Sequence, residues 1–96
     1  MLAKKTVLSL VQDNGEEIRA HGVKRMGIFG SFAKNTQKNK SDIDVLVEFS
    51  RPVGFEFAGI EFELEKKLKK KVDLLTYKSV HPLLKKRILN EEIRII

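Results

Sequence analysis

Cysteine and tryptophan are absent from the 96-residue chain, and proline and tyrosine are rare. Without cysteine there can be no disulfide bond, no thiolate-bound metal and no cysteine nucleophile. No apolar run approaches the roughly 18 residues of a membrane-spanning helix. The short apolar stretch near the N-terminus has no small-residue cleavage site before its first acids. We therefore expect one cytoplasmic domain, covering residues 1–96, with no membrane contact.

Histidine is also scarce, with His21 and His81 far apart in the sequence and each at the end of a predicted helix. A zinc site built from three histidines is excluded, and no serine nucleophile motif accompanies these residues. We interpret both histidines as capping or surface residues.

Positive charge exceeds negative charge, with 19 Lys and Arg against 13 Asp and Glu, which gives a net charge of +6. Such an excess is typical of proteins that meet phosphates, nucleic acid or an acidic partner. It is equally typical of a charged, soluble surface. Net charge alone leaves both interpretations open.

Apolar periodicity predicts an α/β chain with a small mixed sheet of three or four strands flanked by helices. The predicted helices are Leu2–Val11, Asn14–Ala20, residues 53–70 and Val80–Leu89. The predicted strands are Val23–Phe29, Ile43–Phe49, Lys71–Tyr77 and a short edge strand within Ile93–Ile96. The polar segment Ala33–Lys40 is predicted to be a loop, with one helical turn before it as an option.

Local signals mark several of these boundaries. Asn14 and Glu17 resemble a capping box at the start of the second helix. Ser79 is suited to cap the last helix, and Pro52 should end the second strand.

The predicted helix 53–70 has two conspicuous sets of side chains. Phe55, Phe57 and Phe62 have near-helical spacing, and we expect them in the core rather than facing a partner. Lys66–Lys71 contains five lysines in six residues. Because it lacks interleaved aromatic residues, we interpret it as a solvated helix end and do not expect direct nucleic-acid binding.

Three aspartates occur in predicted strands, although aspartate is depleted from strands. Asp42 and Asp44 lie on one face of their strand, with Cα atoms about 6.5–7 Å apart. Two carboxylates this close repel each other unless a cation lies between them. With Asp73 on a neighbouring strand, they favour a site for two Mg²⁺ ions, with Mn²⁺ as the alternative. For Asp42 alone, a solvent-facing strand end is the competing interpretation.

Gly30 and Ser31 directly follow a predicted strand. A turn of this kind offers free backbone N–H groups and a hydroxyl to phosphate oxygens, although Gly-Ser after a strand is usually only a turn. The chain contains no GxxxxGK motif, and Gly27-Ile-Phe-Gly30 lacks the third glycine of a dinucleotide-binding fingerprint. A P-loop or Rossmann site is therefore unsupported.

The two motifs are separated by ten residues, as Gly30-Ser31, x10, Asp42-Ile-Asp44. The stretch GIFGSFAKNTQKNKSDIDVLVEF, with the later KVDLLT and the closing LLKKRILNEEIRII, resembles the minimal nucleotidyltransferases of the DNA polymerase β-like superfamily. These are the small partners of HEPN-domain toxins in prokaryotic toxin–antitoxin pairs. The resemblance covers most of the chain and implies a polymerase β-like nucleotidyltransferase fold.

The resemblance also implies residue roles. Gly30 and Ser31 would hold nucleotide phosphate, and Asp42 and Asp44 would bind metal. Asp73 would be the third acid, both a metal ligand and the activator of the attacking hydroxyl.

One stretch departs from the family pattern GSxARG, since Ala33 is followed here by Lys34 and Asn35. Lys34 keeps a phosphate-binding charge but loses the bidentate geometry of arginine. Asn35 can still adopt a left-handed conformation, at some cost relative to glycine. Lys34, Lys38 and Lys40 could hold triphosphate or meet an acidic partner, and a merely solvated loop is an equal alternative.

The implied activity is metal-dependent transfer of AMP from ATP to a hydroxyl, expected to be that of a tyrosine, on a cognate HEPN ribonuclease toxin. The chain would thus act as an antitoxin enzyme. The alternative is a non-catalytic antitoxin that neutralises its toxin by binding it, with nucleic-acid contact as an option.

Overall fold

The computed structural model describes residues 3–51 and 54–96. Three positions at which the sequence predicts the start or end of an element lie outside the described residues: Leu2, Pro52 and residue 53. The elements along the chain are α1 (Lys4–Asp13), α2 (Gly15–Ala20), β1 (Val23–Phe29), α3 (Gly30–Lys34), β2 (Ile43–Phe49), α4 (Glu56–Leu68), β3 (Val72–Thr76), a 3₁₀ turn (Tyr77–Ser79), α5 (Pro82–Glu91) and β4 (Ile93–Arg94). Within these two ranges, no helix has the length and apolar character needed to cross a membrane.

The four strands form one mixed sheet in the order β3-β2-β1-β4. The pairs β1–β2 and β1–β4 are antiparallel, while β2 and β3 are parallel. A parallel pair needs a crossover connection, which α4 provides. The predicted α/β class and mixed sheet are confirmed, including the short edge strand near the C-terminus.

Apolar residues are buried on both faces of the sheet, but unequally. On β2, Val45 and Val47 belong to the larger cluster, to which α1, α2, α3 and α4 contribute buried side chains, whereas Leu46 belongs to a smaller cluster on the opposite face. This alternation follows from the two-residue period of a strand. We call the face that includes Leu46 the open face. Among the described α-helices, α5 alone contributes a side chain, Ile88, to the cluster on this face.

The prediction that all three phenylalanines near α4 belong to the core is wrong for two of them. Phe55 is 95% exposed and Phe62 is 64% exposed, whereas Phe57 packs against Phe49 with ring centroids 6.4 Å apart. The buried stripe of α4 is Ile60, Leu64 and Leu68. Since these residues recur every four positions, they turn Phe62 toward solvent.

Two predicted caps are also wrong. The Asn14 side chain makes no capping bond to α2; its amide donates to the Leu10 carbonyl at 2.7 Å, and its oxygen accepts from Lys67 Nζ at 2.6 Å. Ser79 lies in the 3₁₀ turn, and His81 Nδ1 instead accepts the Leu83 N–H of α5 at 3.1 Å. The capping interpretation of His81 is thus confirmed.

The predicted loop Ala33–Lys40 is wrong at its start, where Ala33 and Lys34 complete α3. The lysine-rich run is likewise more than a solvated helix end. Besides Asn14, Lys67 Nζ contacts Glu17 at 3.2 Å, and Lys70 Nζ donates to the Asn39 carbonyl at 2.7 Å.

A polar cluster joins the C-terminal end of α5 to the open face. The carboxylate of Glu92, with a side chain only 3% exposed, accepts from Arg25 at 2.9 Å and from the Tyr77 hydroxyl. Arg25 also lies 4.4 Å from the Tyr77 ring centroid. Burial and the bond to Glu92 raise the pKa of Tyr77. At Gly27 a side chain would overlap the Glu92 carboxylate, so the close approach requires glycine there.

We expect Glu92→Ala to lower the free energy of unfolding by about 1.5–3 kcal/mol, because it leaves the hydrogen-bonding groups of Arg25 and Tyr77 without their shared acceptor. The matched control is Glu48→Ala, which removes an exposed ion pair to Lys24 and should cost less than about 1 kcal/mol. Urea denaturation measures both. Equal losses for the two variants would contradict a structural role for the Glu92 cluster.

Candidate active site

Two of the three predicted acids are neighbours on adjacent strands. In the parallel register of β2 and β3, Asp44 pairs with Asp73. By strand alternation both side chains lie on the open face, the side of Leu46. Asp42 directly precedes β2 and is exposed, as is Asp73, while Asp44 is half-buried. The fold therefore brings Asp44 and Asp73 together, with Asp42 beside them at the strand entrance.

Gly30 lies directly against this acid pair. It has a φ of +72°, and a Cβ there would overlap the Asp44 carboxylate, whose Cγ lies 3.1 Å from the Cβ position. Both observations require a residue without a side chain. Ser31, the next residue, is partly exposed in the first turn of α3. The structure thus places the Gly-Ser motif in contact with the first acid of β2.

α3 ends at Lys34, and Asn35, the second of the two residues that depart from the family pattern, caps it. Asn35 has a φ of 60° and occupies the left-handed region, as the sequence analysis allowed. The chain then closes back on α3, with the Thr36 N–H donating to the Ser31 carbonyl at 2.9 Å. Asparagine therefore occupies here the backbone position that the family pattern gives to glycine.

The electrostatics of the site centre on Asp44. Its pKa is raised from 3.8 to about 6, first by burial and then by the negative charges of Asp73 and Asp42. Burial disfavours the ionised form, and each neighbouring carboxylate disfavours it further. None of the ion pairs within the described part of the chain involves Asp42, Asp44 or Asp73.

The donor atoms suit a hard divalent cation. Carboxylate oxygens are the ligands that Mg²⁺ prefers, and the repulsion among Asp42, Asp44 and Asp73 is the kind that a cation relieves. Among residues 3–51 and 54–96, however, no group of three or more His, Cys, Asp or Glu side chains is arranged so that it could hold a metal ion as it stands. The three acids thus fit the chemistry of a metal ligand set without forming a preassembled cage.

Lys34, predicted to bind nucleotide, has an internal partner. Its Nζ lies 3.6 Å from Glu91 Oε1 at the end of α5, and the same oxygen lies 3.4 Å from Arg87 Nε. The side chain of Lys34 is still 47% exposed. Sequence reasoning did not find Glu91, because no local pattern links two residues so far apart. Lys34 remains a predicted phosphate ligand, and its ammonium group contacts Glu91 of α5 in this structure.

The other two predicted cations of the loop are exposed. Lys38 and Ser41 close a tight turn, in which the Lys38 N–H donates to Ser41 Oγ at 2.8 Å and the Ser41 N–H donates to the Lys38 carbonyl at 3.0 Å. This turn leads directly into Asp42. The loop is therefore ordered by its own hydrogen bonds immediately before the acidic strand.

A surface pocket of about 460 Å³ lies at the other end of these strands. Its walls are residues 47–51 and 76–78, which follow rather than precede the paired acids along β2 and β3. The carboxylates are therefore outside this pocket.

Comparison with known proteins gives a consistent assignment. A family model described as a nucleotidyltransferase domain matches residues 6–95. A protein of Methanocaldococcus jannaschii, whose name ascribes protein adenylyltransferase activity to it, is 54% identical over 77 residues, covering 79% of this chain and 83% of its own length. Protein adenylyltransferase MntA of Thermococcus cleftensis is 32% identical and covers 99% of this chain and 98% of its own length.

Solved structures share the fold. One described as a minimal nucleotidyltransferase has a TM-score of 0.84 and 27% identity, covering 96% of this chain and 95% of that chain. A chain from the Shewanella oneidensis complex of a tri-AMPylated HEPN toxin with MNT antitoxin has a TM-score of 0.66 and 17% identity, covering 93% of this chain and 71% of that chain.

Gly30→Ala should lower the free energy of unfolding by about 1–3 kcal/mol, because it forces a side chain into a left-handed backbone position against Asp44. The matched control is Gly59→Ala within α4, where a Cβ meets no atom within 4 Å. This control should raise stability by about 0.4–1 kcal/mol. Denaturant titration of both variants measures the contrast, and a neutral Gly30→Ala would refute the close approach.

Asp44→Asn should stabilise the metal-free protein at pH 8, and the gain should disappear as the pH falls from 7 to 4. The pKa of Asp44 is raised to about 6 in the folded state, so the folded chain binds this proton more readily than the unfolded chain. Wild-type stability therefore decreases as pH rises through this window and stays low above it.

Thermal melts in EDTA across this range measure the difference between Asp44→Asn and wild type. Asp13→Asn, which removes an exposed carboxylate at the end of α1, is the matched control. A destabilised Asp44→Asn at pH 8 would make Asp44 a structural residue instead.

Proposed function

The chain belongs to the nucleotidyltransferase domain family, and we propose that it transfers AMP from ATP to a tyrosine hydroxyl of a cognate HEPN toxin. It would act in the cytoplasm as a single domain of 96 residues and as the antitoxin of the pair. The names of its relatives support adenylyl transfer to protein. The AMP-modified toxin in the S. oneidensis complex supports the choice of acceptor.

The structural observation that supports this function most directly is the register of Asp44 with Asp73, beside Gly30. A nucleotidyl transfer needs phosphate-binding groups and acids within reach of one phosphorus atom. In this fold the start of α3 and the entrances of β2 and β3 meet at one place on the open face. This proximity supports our assignment of phosphate binding to Gly30 and Ser31 and of metal binding to the acids.

The residues act mainly by positioning. The backbone at Gly30 and the hydroxyl of Ser31 would hold phosphate oxygens, and Lys34 would add a point charge. Asp42, Asp44 and Asp73 would hold Mg²⁺, two ions in our proposal, and the metal would neutralise charge on the triphosphate and on the leaving pyrophosphate.

The reaction requires one proton acceptor. The acceptor oxygen forms a bond to the α-phosphorus of ATP, the bond between that phosphorus and the β-phosphate oxygen breaks, and pyrophosphate leaves. Asp73 is exposed and so can be approached from solvent by a protein hydroxyl. We assign it the role of general base, which receives the proton of that hydroxyl.

The decisive experiment mixes the protein with the purified cognate toxin, Mg²⁺ and ATP labelled in the α-phosphate. Label should enter the toxin, and Asp73→Asn should lower the rate by about 10²–10⁴-fold, since it removes the general base. Asp13→Asn, which lies in α1 away from the site, should retain the wild-type rate.

Two further measurements separate an inactive site from an unfolded one, and a third tests the acceptor. Asp73→Asn should keep the wild-type circular dichroism spectrum and still bind toxin. Replacing the toxin's acceptor tyrosine by phenylalanine should abolish labelling. A wild-type protein that binds toxin but never labels it would leave the non-catalytic antitoxin as the correct function.

A further inference from the structure

Helix α5 exposes most of its apolar side chains. It contains no buried residue, and Leu83 is 85% exposed, Leu84 48% and Leu89 37%. Only Ile88 packs against the cluster of the open face. A helix in a domain of this size normally buries an apolar stripe, so the exposed leucines of α5 are not explained by the packing of this chain.

The position of α5 is nevertheless well defined. At its start the His81 side chain caps the Leu83 N–H. At its end Glu91 contacts Lys34, and Glu92, the residue that follows, contacts Arg25 and Tyr77. Contacts at both ends therefore position the helix that carries the exposed leucines.

Before Glu91, the charged residues of α5 and of the segment that leads into it are all positive. Between Asp73 and Glu91 the chain contains no acidic residue, while Lys78, Lys85, Lys86 and Arg87 are cationic. All four cations are exposed. The surface of α5 thus combines leucines with a local excess of positive charge, although acids predominate at the nearby site.

The helix also lies beside the proposed acceptor position. Ile88 contacts the cluster that contains Phe29 and Leu46, and Phe29 is the register neighbour of Asp44. A protein that brings a hydroxyl to Asp73 must cover the open face. It therefore meets α5, the described helix that packs on that face.

We propose that α5 is the docking surface for the acceptor protein, through Leu83, Leu84 and the cations of residues 85–87. The complementary surface is an apolar patch on the acceptor bordered by carboxylates. This inference rests on the proposed function, since it assumes a protein acceptor. Nucleic acid is a poorer match, because phosphate backbones offer nothing to exposed leucines, and α5 carries no aromatic side chain on which bases could stack.

The test compares Leu83→Asp in α5 with Phe62→Asp in α4, on the opposite side of the sheet. Both residues are exposed leucine or phenylalanine side chains, and an acid in the first turn of α5 is compatible with the helix dipole. Calorimetry with the purified cognate toxin should show binding weakened about tenfold or more by Leu83→Asp. Phe62→Asp should stay within about twofold of wild type.

A second pair of variants tests the charge. Lys85→Glu/Lys86→Glu should weaken toxin binding and reduce its dependence on salt, whereas Lys66→Glu in α4 should change neither. In the transfer assay the α5 variants should raise the KM for toxin and leave the KM for ATP unchanged. That separation would not result from a general loss of folding.

The opposing outcomes are distinct. If Leu83→Asp binds and modifies toxin as wild type does, the docking proposal is wrong and the transfer function stands. If Phe62→Asp is the variant that loses binding, α4 is the docking helix instead. If the wild-type protein neither binds nor modifies toxin, both proposals fail, and binding of labelled RNA that depends on Lys85 and Lys86 would assign α5 to nucleic acid.

Discussion

Parallel pairing of β2 with β3 places Asp44 beside Asp73, and it is possible only because α4 returns the chain across the sheet. Two adjacent carboxylates repel each other, so this register is unfavourable at the strand entrances. It is maintained by the apolar residues that follow. Val45 and Leu74, also paired, are almost fully buried, and each such side chain contributes about 1.5–3 kcal/mol. The burial of the strands thus outweighs the repulsion at their entrances.

Two consecutive glutamates connect α5 to different parts of the molecule. Glu91 contacts Lys34 of α3, while Glu92 turns inward to Arg25 and Tyr77. The first contact is partly exposed and adjustable, and the second is buried. α3 begins at Gly30, which lies against Asp44. The contact between Lys34 and Glu91 therefore links the position of α5 to the candidate site.

Much of this arrangement could be predicted from the sequence because its signals are local. The β-branched run Ile43–Phe49 predicted β2, and the two-residue spacing of Asp42 and Asp44 predicted their common face. The register of Asp44 with Asp73 could not be derived in this way, since it depends on how strands pair in space. The Lys34–Glu91 contact was missed for the same reason.

The wrong predictions had a common physical cause. Asparagine is a residue type that often caps helices, but the side chain of Asn14 bonds to a carbonyl of α1 and to Lys67 of α4 instead of capping α2. Phenylalanine is a residue type that is often buried, but the buried face of α4 consists of Ile60, Leu64 and Leu68, and Phe62 does not lie on that face. In both cases tertiary contacts decided among several locally acceptable options.

The unequal covering of the sheet gives a physical reason why a chain of this size can be both stable and open to substrates. A small domain buries only about 60–65% of its unfolded surface, so it cannot enclose a deep cleft and a large core together. Here side chains of α1, α2, α3 and α4 pack on one face, and together with the residues of that face they form the larger part of the core. On the opposite face Asp42 and Asp73 are exposed, and α5, which has contacts at both ends, packs on that face through Ile88. If, as proposed, a second protein completes the site, the chain needs no further core of its own there, and the exposed apolar residues of α5 have a partner in the complex.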